Sequence, residues 1–442
     1  MPHQSSSRAS GAVALGVALA LLAAPLPAAG QRLIVSYSVP SGLPFGTFSV
    51  ITQSIDLGTG LAEWTEPDAI GNIVFTADGQ YVFYRRLATP TGPYVLYARD
   101  VVTNREFPLS FDFEPRLAHP REPAIFGLVD VHSTGFGTSA GALARLDASG
   151  LRSGVGCPAA TTVAFDLSAD GGTLAALCES NEVVLLDTTS GGVIRTLAAD
   201  PARTISSLRL NHDASRVIVT LRAGSAANEI AALDAVSGLT LATTTVEPAN
   251  AGCAFVGIAP DKTKAVVGCT WFVPPISVGA VARVLDVDTL TLGPSLPSYS
   301  PGAAVFSPDN RSVFMTSYHR LGFGFMAQYD VATPVNVLSS DTVTPRAFGL
   351  AFVPLAPSLA MSASGSRVDL QWTLPGHSPA ATRYVVEVGS ATGLSNLGML
   401  DLGPLPTLSV PAVPSGTYVV RVRAANATGV GAASNDVVVT VP

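Results

Sequence analysis

The sequence predicts an all-β chain, a ring of four-stranded repeats followed by a smaller β-sandwich. Three observations carry that expectation. The 442 residues are 48% hydrophobic but only 13% charged, against roughly 25% charged in an average soluble protein. Ala, Gly, Val, Ser, Thr and Pro are abundant instead, which suits short strands and tight turns better than amphipathic helices. Two turn landmarks recur at the spacing of a four-stranded unit, and after Pro357 that spacing gives way to a different set of alternating strands.

The clearest unit is residues 301–334. Residues 302–306 read as a short strand, Pro308-Asp309-Asn310 as a tight turn, 312–316 as a second strand and 325–329 as a third, after which Asp330-Val331-Ala332-Thr333 turns the chain into a fourth. The first landmark, the turn between strands one and two, recurs as Ala77-Asp78-Gly79, a degenerate Pro120-Arg121-Glu122, Ala169-Asp170-Gly171, His212-Asp213-Ala214 and Pro260-Asp261-Lys262. Proline presets φ, aspartate bonds its own backbone, and Gly or Asn tolerates positive φ. The second landmark is an aspartate ending the third strand: Asp56, Asp100, Asp147, Asp187, Asp234, Asp286 and Asp330, at spacings of 44, 47, 40, 47, 52 and 44 residues. That is the period of a propeller blade.

The ends complement each other. Residues 32–65 contain the later strands of a unit without a first strand, whereas residues 346–353 read as a first strand with nothing after it. Pairing residues 346–353 antiparallel with about 33–38 makes a seven-bladed β-propeller over residues 31–355 and removes two open sheet edges. The Ser-Pro-Asp-Asn and Asp-Val-Ala-Thr motifs resemble the exported bacterial propellers of the YVTN and quinoprotein-amine-dehydrogenase-like (WD40-like) superfamily. The resemblance implies the fold; that superfamily holds binding proteins, lactonases and cofactor enzymes, and no member's catalytic set maps onto these positions. The repeat around residues 118–150 departs furthest from the pattern.

Residues 357–442 form a separate unit. Val368, Leu370 and Trp372 alternate with Arg367, Asp369 and Gln371, as Tyr384, Val386 and Val388 and then Tyr418, Val420, Val422 and Ala424 do with their neighbours, giving each strand one buried face. With core Trp372 and the Pro414-Ser415-Gly416-Thr417-Tyr418 entry to a long strand, the segment resembles a fibronectin type III domain, in which Tyr418 takes the place of the tyrosine corner.

The N-terminus reads as a secretory signal, residues 1–30: Arg8, an apolar run over 12–24, Pro25 and Pro27, then Ala28-Ala29-Gly30. The run is too short to span a bilayer, and no later segment reads as a membrane span. Export to the periplasm or beyond makes disulfides the expected state of the four cysteines. Cys253 and Cys269 stand eight residues either side of Asp261, so a hairpin turning there sets them opposite each other. Cys178, eight residues after Asp170, holds the place in its unit that Cys269 holds; Cys157 stands thirteen before Asp170, so a Cys157–Cys178 bridge needs an inward-folding loop. The formal charge of −7 without a Lys/Arg cluster speaks against nucleic acid as a partner.

No catalytic residue, metal site or cofactor is assigned. Gly137-Thr138-Ser139-Ala140-Gly141 matches G-x-S-x-G, but that motif needs a strand before it and a helix after it, and here it reads as a Gly-rich loop. His119, His132, His212, His319 and His377 lack metal-ligand spacing and read as exposed loop histidines. The seven aspartates are too regular for a site and read as turn caps. Unusual residues gather instead between second and third strands: Arg85, Arg86, His132, Arg222, Trp271, Tyr318, His319 and Arg320, with Phe136, Phe272 and Phe323. Aromatic and Arg side chains dominate binding energy, so this face is the expected place to meet an extracellular or periplasmic protein or glycan. The expectation is a binding or scaffold module. A propeller enzyme of lactonase or cofactor-oxidoreductase type and a structural spacer or surface-layer component are the alternatives.

Overall fold

The computed structural model describes most of residues 31–442. Outside the description lie residues 1–30, 41–47, 57–61, 67–69, 88–93, 110–111, 136–137, 148–149, 159–160, 199, 201, 223–227, 247–250, 274–276, 297, 299–300, 319–323, 333–335, 341–343 and 377. Every described element is a strand.

The chain opens with β1 (Gln31–Pro40), β2 (Phe48–Asp56) and β3 (Ala62–Glu66) as an antiparallel meander. A second sheet holds β4 (Ile70–Phe75), β5 (Tyr81–Leu87), β6 (Tyr94–Asp100) and β7 (Arg105–Leu109) in sequence order. Next come β8 (Glu114–Ala118), β9 (Ile125–Gly135), β10 (Thr138–Asp147) and β11 (Gly150–Ser153), then β12 (Thr162–Leu167), β13 (Thr173–Cys178), β14 (Val183–Asp187) and β15 (Val193–Leu197). A bridge between Gly141 and Thr162 links these two groups into one sheet. Three further meanders follow: β16 (Thr204–Leu210), β17 (Arg216–Arg222), β18 (Asn228–Asp234) and β19 (Thr240–Val246); β20 (Gly252–Ile258), β21 (Lys264–Val273), β22 (Ser277–Asp286) and β23 (Leu292–Leu296); β24 (Pro301–Phe306), β25 (Ser312–Tyr318), β26 (Gly324–Asp330) and β27 (Asn336–Ser340). Finally β28 (Thr344–Phe352) returns to pair antiparallel with β1, Leu33 opposite Leu350 and Ser38 opposite Thr344.

Successive sheets pack face to face. One apolar cluster joins Leu177 and Leu185 to Leu208, Val217 and Val219; another joins Ile218 and Ile230 to Phe255 and Val267; a third joins Val266 and Val284 to Phe306 and Met315. The first strands form the inner ring, with β28 beside β4, β4 beside β8, β12 beside β16, β16 beside β20, and β24 beside both β20 and β28. This radial stacking is a β-propeller.

The turns that start each hairpin work as their residues imply. Gly79, Gly171, Ala214, Lys262 and Asn310 all have φ between 57° and 79°. In each turn the N–H of that residue donates to the carbonyl three residues back, as from Gly79 to Thr76 O (2.8 Å) and from Lys262 to Ala259 O (2.9 Å). Asp78, Asp170, Asp213, Asp261 and Asp309 each accept the N–H two residues on. Of the third-strand aspartates, Asp100, Asp187, Asp234 and Asp286 cap their turns by accepting the N–H three residues on, and Asp330 by accepting the one two residues on. The backbone N–H groups of Thr103, Ser190 and Ser237 hold the carboxyls of Asp100, Asp187 and Asp234 below the usual range. Asp147 differs: its carboxylate pairs with Arg145 and Arg152. The side chain of Asp56 lies outside the described residues.

Both disulfides are present, Cys157–Cys178 and Cys253–Cys269, the latter between directly opposed residues of β20 and β21. Among the described residues no helix is long and apolar enough to cross a membrane.

The C-terminal strands are β29 (Ser358–Ser364), β30 (Arg367–Thr373), β31 (Arg383–Gly389), β32 (Gly398–Asp401), β33 (Thr407–Val410), β34 (Gly416–Asn426), β35 (Gly429–Ala433) and β36 (Val437–Val441). They make a three-stranded sheet, β29-β30-β33, and a five-stranded one in which β31 and β36 both pair with β34. Trp372, 1% exposed, packs with Tyr384, Val422 and Val439 between the two sheets, its ring edge-on to Tyr384 at 5.5 Å. The Tyr418 hydroxyl donates to Pro414 O at 3.0 Å.

Candidate functional site

In an antiparallel blade the turn from first to second strand shares an end with the turn from third to fourth, and the link from second to third lies at the other end. The propeller therefore has a turn end and a rim end, and the two differ in what occupies them.

At the rim end several of the unusual residues already have partners. The Arg85 guanidinium reaches Glu114 Oε2 and Asp112 Oδ1, each at 3.3 Å, and sits 5.2 Å above the Tyr94 ring. Arg86 pairs with Glu106 at 3.1 Å and lies 4.4 Å above Tyr97. His132 Nε2 is 3.2 Å from Glu179 Oε1, both side chains nearly half exposed. Arg222 is exposed at the end of β17. Trp271 is half buried against the cluster around Cys253 and Leu285, its indole filling the space that cross-strand Gly279 leaves without a side chain. Of Tyr318 only the backbone, at the end of β25, is described; His319, Arg320, Phe136 and Phe323, and the side chain of Phe272, lie outside the described residues. The structure thus spreads the described members over several sheets.

Two expectations change. Residues 138–141 are not loop but the start of β10, with Ser139 paired to Ser133 across the hairpin. The Ser139 hydroxyl accepts a bond from Arg116 at 2.6 Å. The β9–β10 ladder extends the strands into the motif, so G-x-S-x-G has no elbow here. His119 is not an exposed loop histidine: it is 4% exposed. Its Nδ1 accepts the N–H groups of Arg121 (3.2 Å) and Glu122 (2.9 Å), doing the capping work that aspartate does in the sister turns. The proton consequently sits on Nε2, which donates to Gly171 O at 3.2 Å. Burial pushes the His119 pKa down, against the pull of Glu122.

The turn end carries chemistry that the sequence reading missed. Lys262 holds its ammonium 2.8 and 3.0 Å from the two oxygens of Asp166, two sheets away, and Asp166 also accepts the N–H of Leu210 at 2.9 Å. Burial lowers the Lys262 pKa and the Asp166 carboxylate opposes the shift. Nearby Arg209 donates to the carbonyls of Leu208 (2.7 Å) and Phe255 (3.1 Å), while its buried Nε has no acceptor among the described residues. Burial likewise lowers the Arg209 pKa. Two signals in the sequence bear on its members without showing that they meet: a lysine at the turn position that Gly, Ala or Asn fills in sister turns, and single charges inside the strands β12 and β16.

Beside the cluster lies a cavity of about 270 Å³ walled by the first-strand ends and turns, His119 and Lys262 among them, and closed on one side by Gly376, Ser378 and Pro379 of the C-terminal unit. That unit docks on the turns. Ala380 N donates to Ala77 O and Ala427 N to Asp78 O, both at 3.2 Å, and Asn426 Nδ2 to Phe352 O at 3.0 Å. Asn426, within a glycosylation sequon, is thereby buried. Among the described residues no group of three or more His, Cys, Asp or Glu is placed to hold a metal ion.

No family model matches the chain, and no curated protein matches it. Similar solved structures include a provisionally assigned 6-phosphogluconolactonase from Bacteroides fragilis, 13% identical over 74% of this chain and 99% of that one, with a TM-score of 0.47. Others are the β-propeller domain of Cps50 (Swd1) from Myceliophteria thermophila, 11% identical over 64% and 96% with a TM-score of 0.42, and TolB from Acinetobacter baumannii, 14% identical over 79% and 74% with a TM-score of 0.39. At these identities none of them lends the chain a substrate or a partner.

Proposed function

We propose that the chain is an exported seven-bladed propeller, residues 31–355, followed by a fibronectin type III sandwich, residues 357–442, and that it is a binding or scaffold module for a protein or carbohydrate ligand at the rim end. The observation that carries this reading is the docking of the C-terminal unit on the turn end through Ala380, Ala427 and Asn426, which covers part of that end and leaves the rim for a macromolecular partner. Two cross-links stiffen the hairpins that support that rim. The Tyr418–Pro414 bond supports the fibronectin-like reading of the sandwich.

The test is capture of partners from the native extracellular fraction by the mature chain and by Arg222→Ala and His132→Ala, both exposed positions. Capture reduced at least tenfold by either change, with an unchanged melting midpoint, supports the rim. Capture by wild type that both variants keep in full sinks these residues as the site, and hydrolysis of simple lactones by the wild-type chain would favour the enzymatic alternative.

A further inference from the structure

The protein is anionic, with a formal charge of −7, yet its inner ring is not. The first strands β4, β8, β12, β16, β20, β24 and β28 contain two acids, Glu114 and Asp166, against Arg116, Arg209 and Arg346, and Lys262 adds a further cation from its turn. Glu114 is already shared between Arg85 and Arg116. Asp166 is left facing both Lys262 and Arg209, so this cluster holds one more positive charge than negative.

Its donors are also in excess. An ammonium has three N–H groups and a guanidinium five. Asp166 engages at most two from Lys262, and two backbone carbonyls take one each from Arg209, whose Nε is buried without an acceptor. Unspent donors beside unbalanced charge are costly in a buried place. Lys262 also holds its position at φ 62°, a conformation that L side chains rarely adopt. The adjoining cavity is lined mainly by apolar groups, among them Phe75, Leu117, Leu167, Ile258 and Phe352. At about 270 Å³ it lies just below the roughly 300–1,000 Å³ of pockets for drug-sized ligands, which sets the scale of an occupant.

We propose that the turn-end cavity binds a small organic carboxylate, its apolar body against the cavity wall and its anionic head held by Lys262, the member of the cluster that lines the cavity. The site lies at the end opposite the rim, and it stands whether or not the rim captures a partner.

The experiment is calorimetric titration of the full mature chain with butyrate and with benzoate at fixed ionic strength in chloride, with inorganic phosphate as a parallel arm. Saturable one-to-one binding of a carboxylate is expected, weakened at least tenfold in Lys262→Met and tightened several-fold in Asp166→Asn, which removes the anion competing for Lys262. The opposite directions of the two variants keep the result readable if one of them folds poorly. Absence of saturable carboxylate binding overturns the proposal, as does binding that neither variant changes. Phosphate binding tighter than both carboxylates overturns it too, by giving the charge surplus to an inorganic anion.

Discussion

Lys262 Nζ lies 2.8 Å from Asp166 Oδ1, joining the turn after β20 to the strand β12 across an intervening sheet. Removing one partner of a buried ion pair costs about 3–5 kcal/mol, because the other is left buried and charged. Asp166→Asn, which leaves Lys262 and Arg209 buried without their shared anion, should fall in that range. Lys262→Met, which leaves Asp166 facing Arg209, should cost markedly less, and equal losses in urea unfolding of the two variants would show that the two cations do not share Asp166.

His119 ties folding to pH. Its folded-state pKa lies below its ordinary value of 6.5, so below about 6.5 the unfolded chain binds more protons than the native one and stability falls as pH falls. The loss levels off below the folded pKa. Glu122, Arg121 and Arg145 are the charged groups facing the ring. Urea midpoints between pH 5 and 8 should show this slope in the wild type and a shallower one in His119→Asn; identical slopes would place the titration elsewhere.

Gly79 combines φ of 68° with close packing against Thr428 of the C-terminal unit. Gly79→Ala should cost about 1–2 kcal/mol for the backbone alone and loosen the docking of residues 426–428. Limited proteolysis of the 353–357 connection should quicken, and unchanged cleavage with unchanged stability would contradict that account.

Deleting β1 removes a strand bonded on both sides, to β2 and to β28. A chain beginning at Ser41 should lose the single cooperative unfolding transition and aggregate through the two exposed edges. Retention of a monomeric, cooperative fold would show that the β1–β28 pairing does not hold the ring.

Architecture was legible because it is repeated. Asp309 and Asn310 mean little alone, but the same turn at Asp78-Gly79 and Asp170-Gly171 fixes where hairpins begin, and the unmatched halves at residues 32–65 and 346–353 point to each other. The Cys253–Cys269 pairing followed from hairpin symmetry about Asp261, whereas Cys157 stands off the symmetric place and meets Cys178 from the segment before β12. The turn-end cluster was not legible, since Asp166, Arg209 and Lys262 stand far apart in sequence and meet only when the ring brings β12, β16 and the turn after β20 together. His119 was hidden because its turn has lost the aspartate pattern, the ring nitrogen having taken over the cap. At the rim the residue types were conspicuous, but Arg85 and Arg86 read the same from sequence whether they are free or, as here, already paired with Glu114 and Glu106.

The strand that closes the ring is also the one that leads into the C-terminal unit: β28 ends at Phe352 and β29 begins at Ser358. A mechanical load applied at the C-terminal end enters the ring through that strand. Because the bonds between β28 and β1 run perpendicular to an antiparallel pair, a pull along the strand loads the row in shear. Before it arrives there, the docking bonds from Ala380 and Ala427 divert part of the tension into the turn at Ala77-Asp78. The C-terminal unit thus relieves strain on the seam, and a tether fixed beyond Pro442 would pull first on that docked unit.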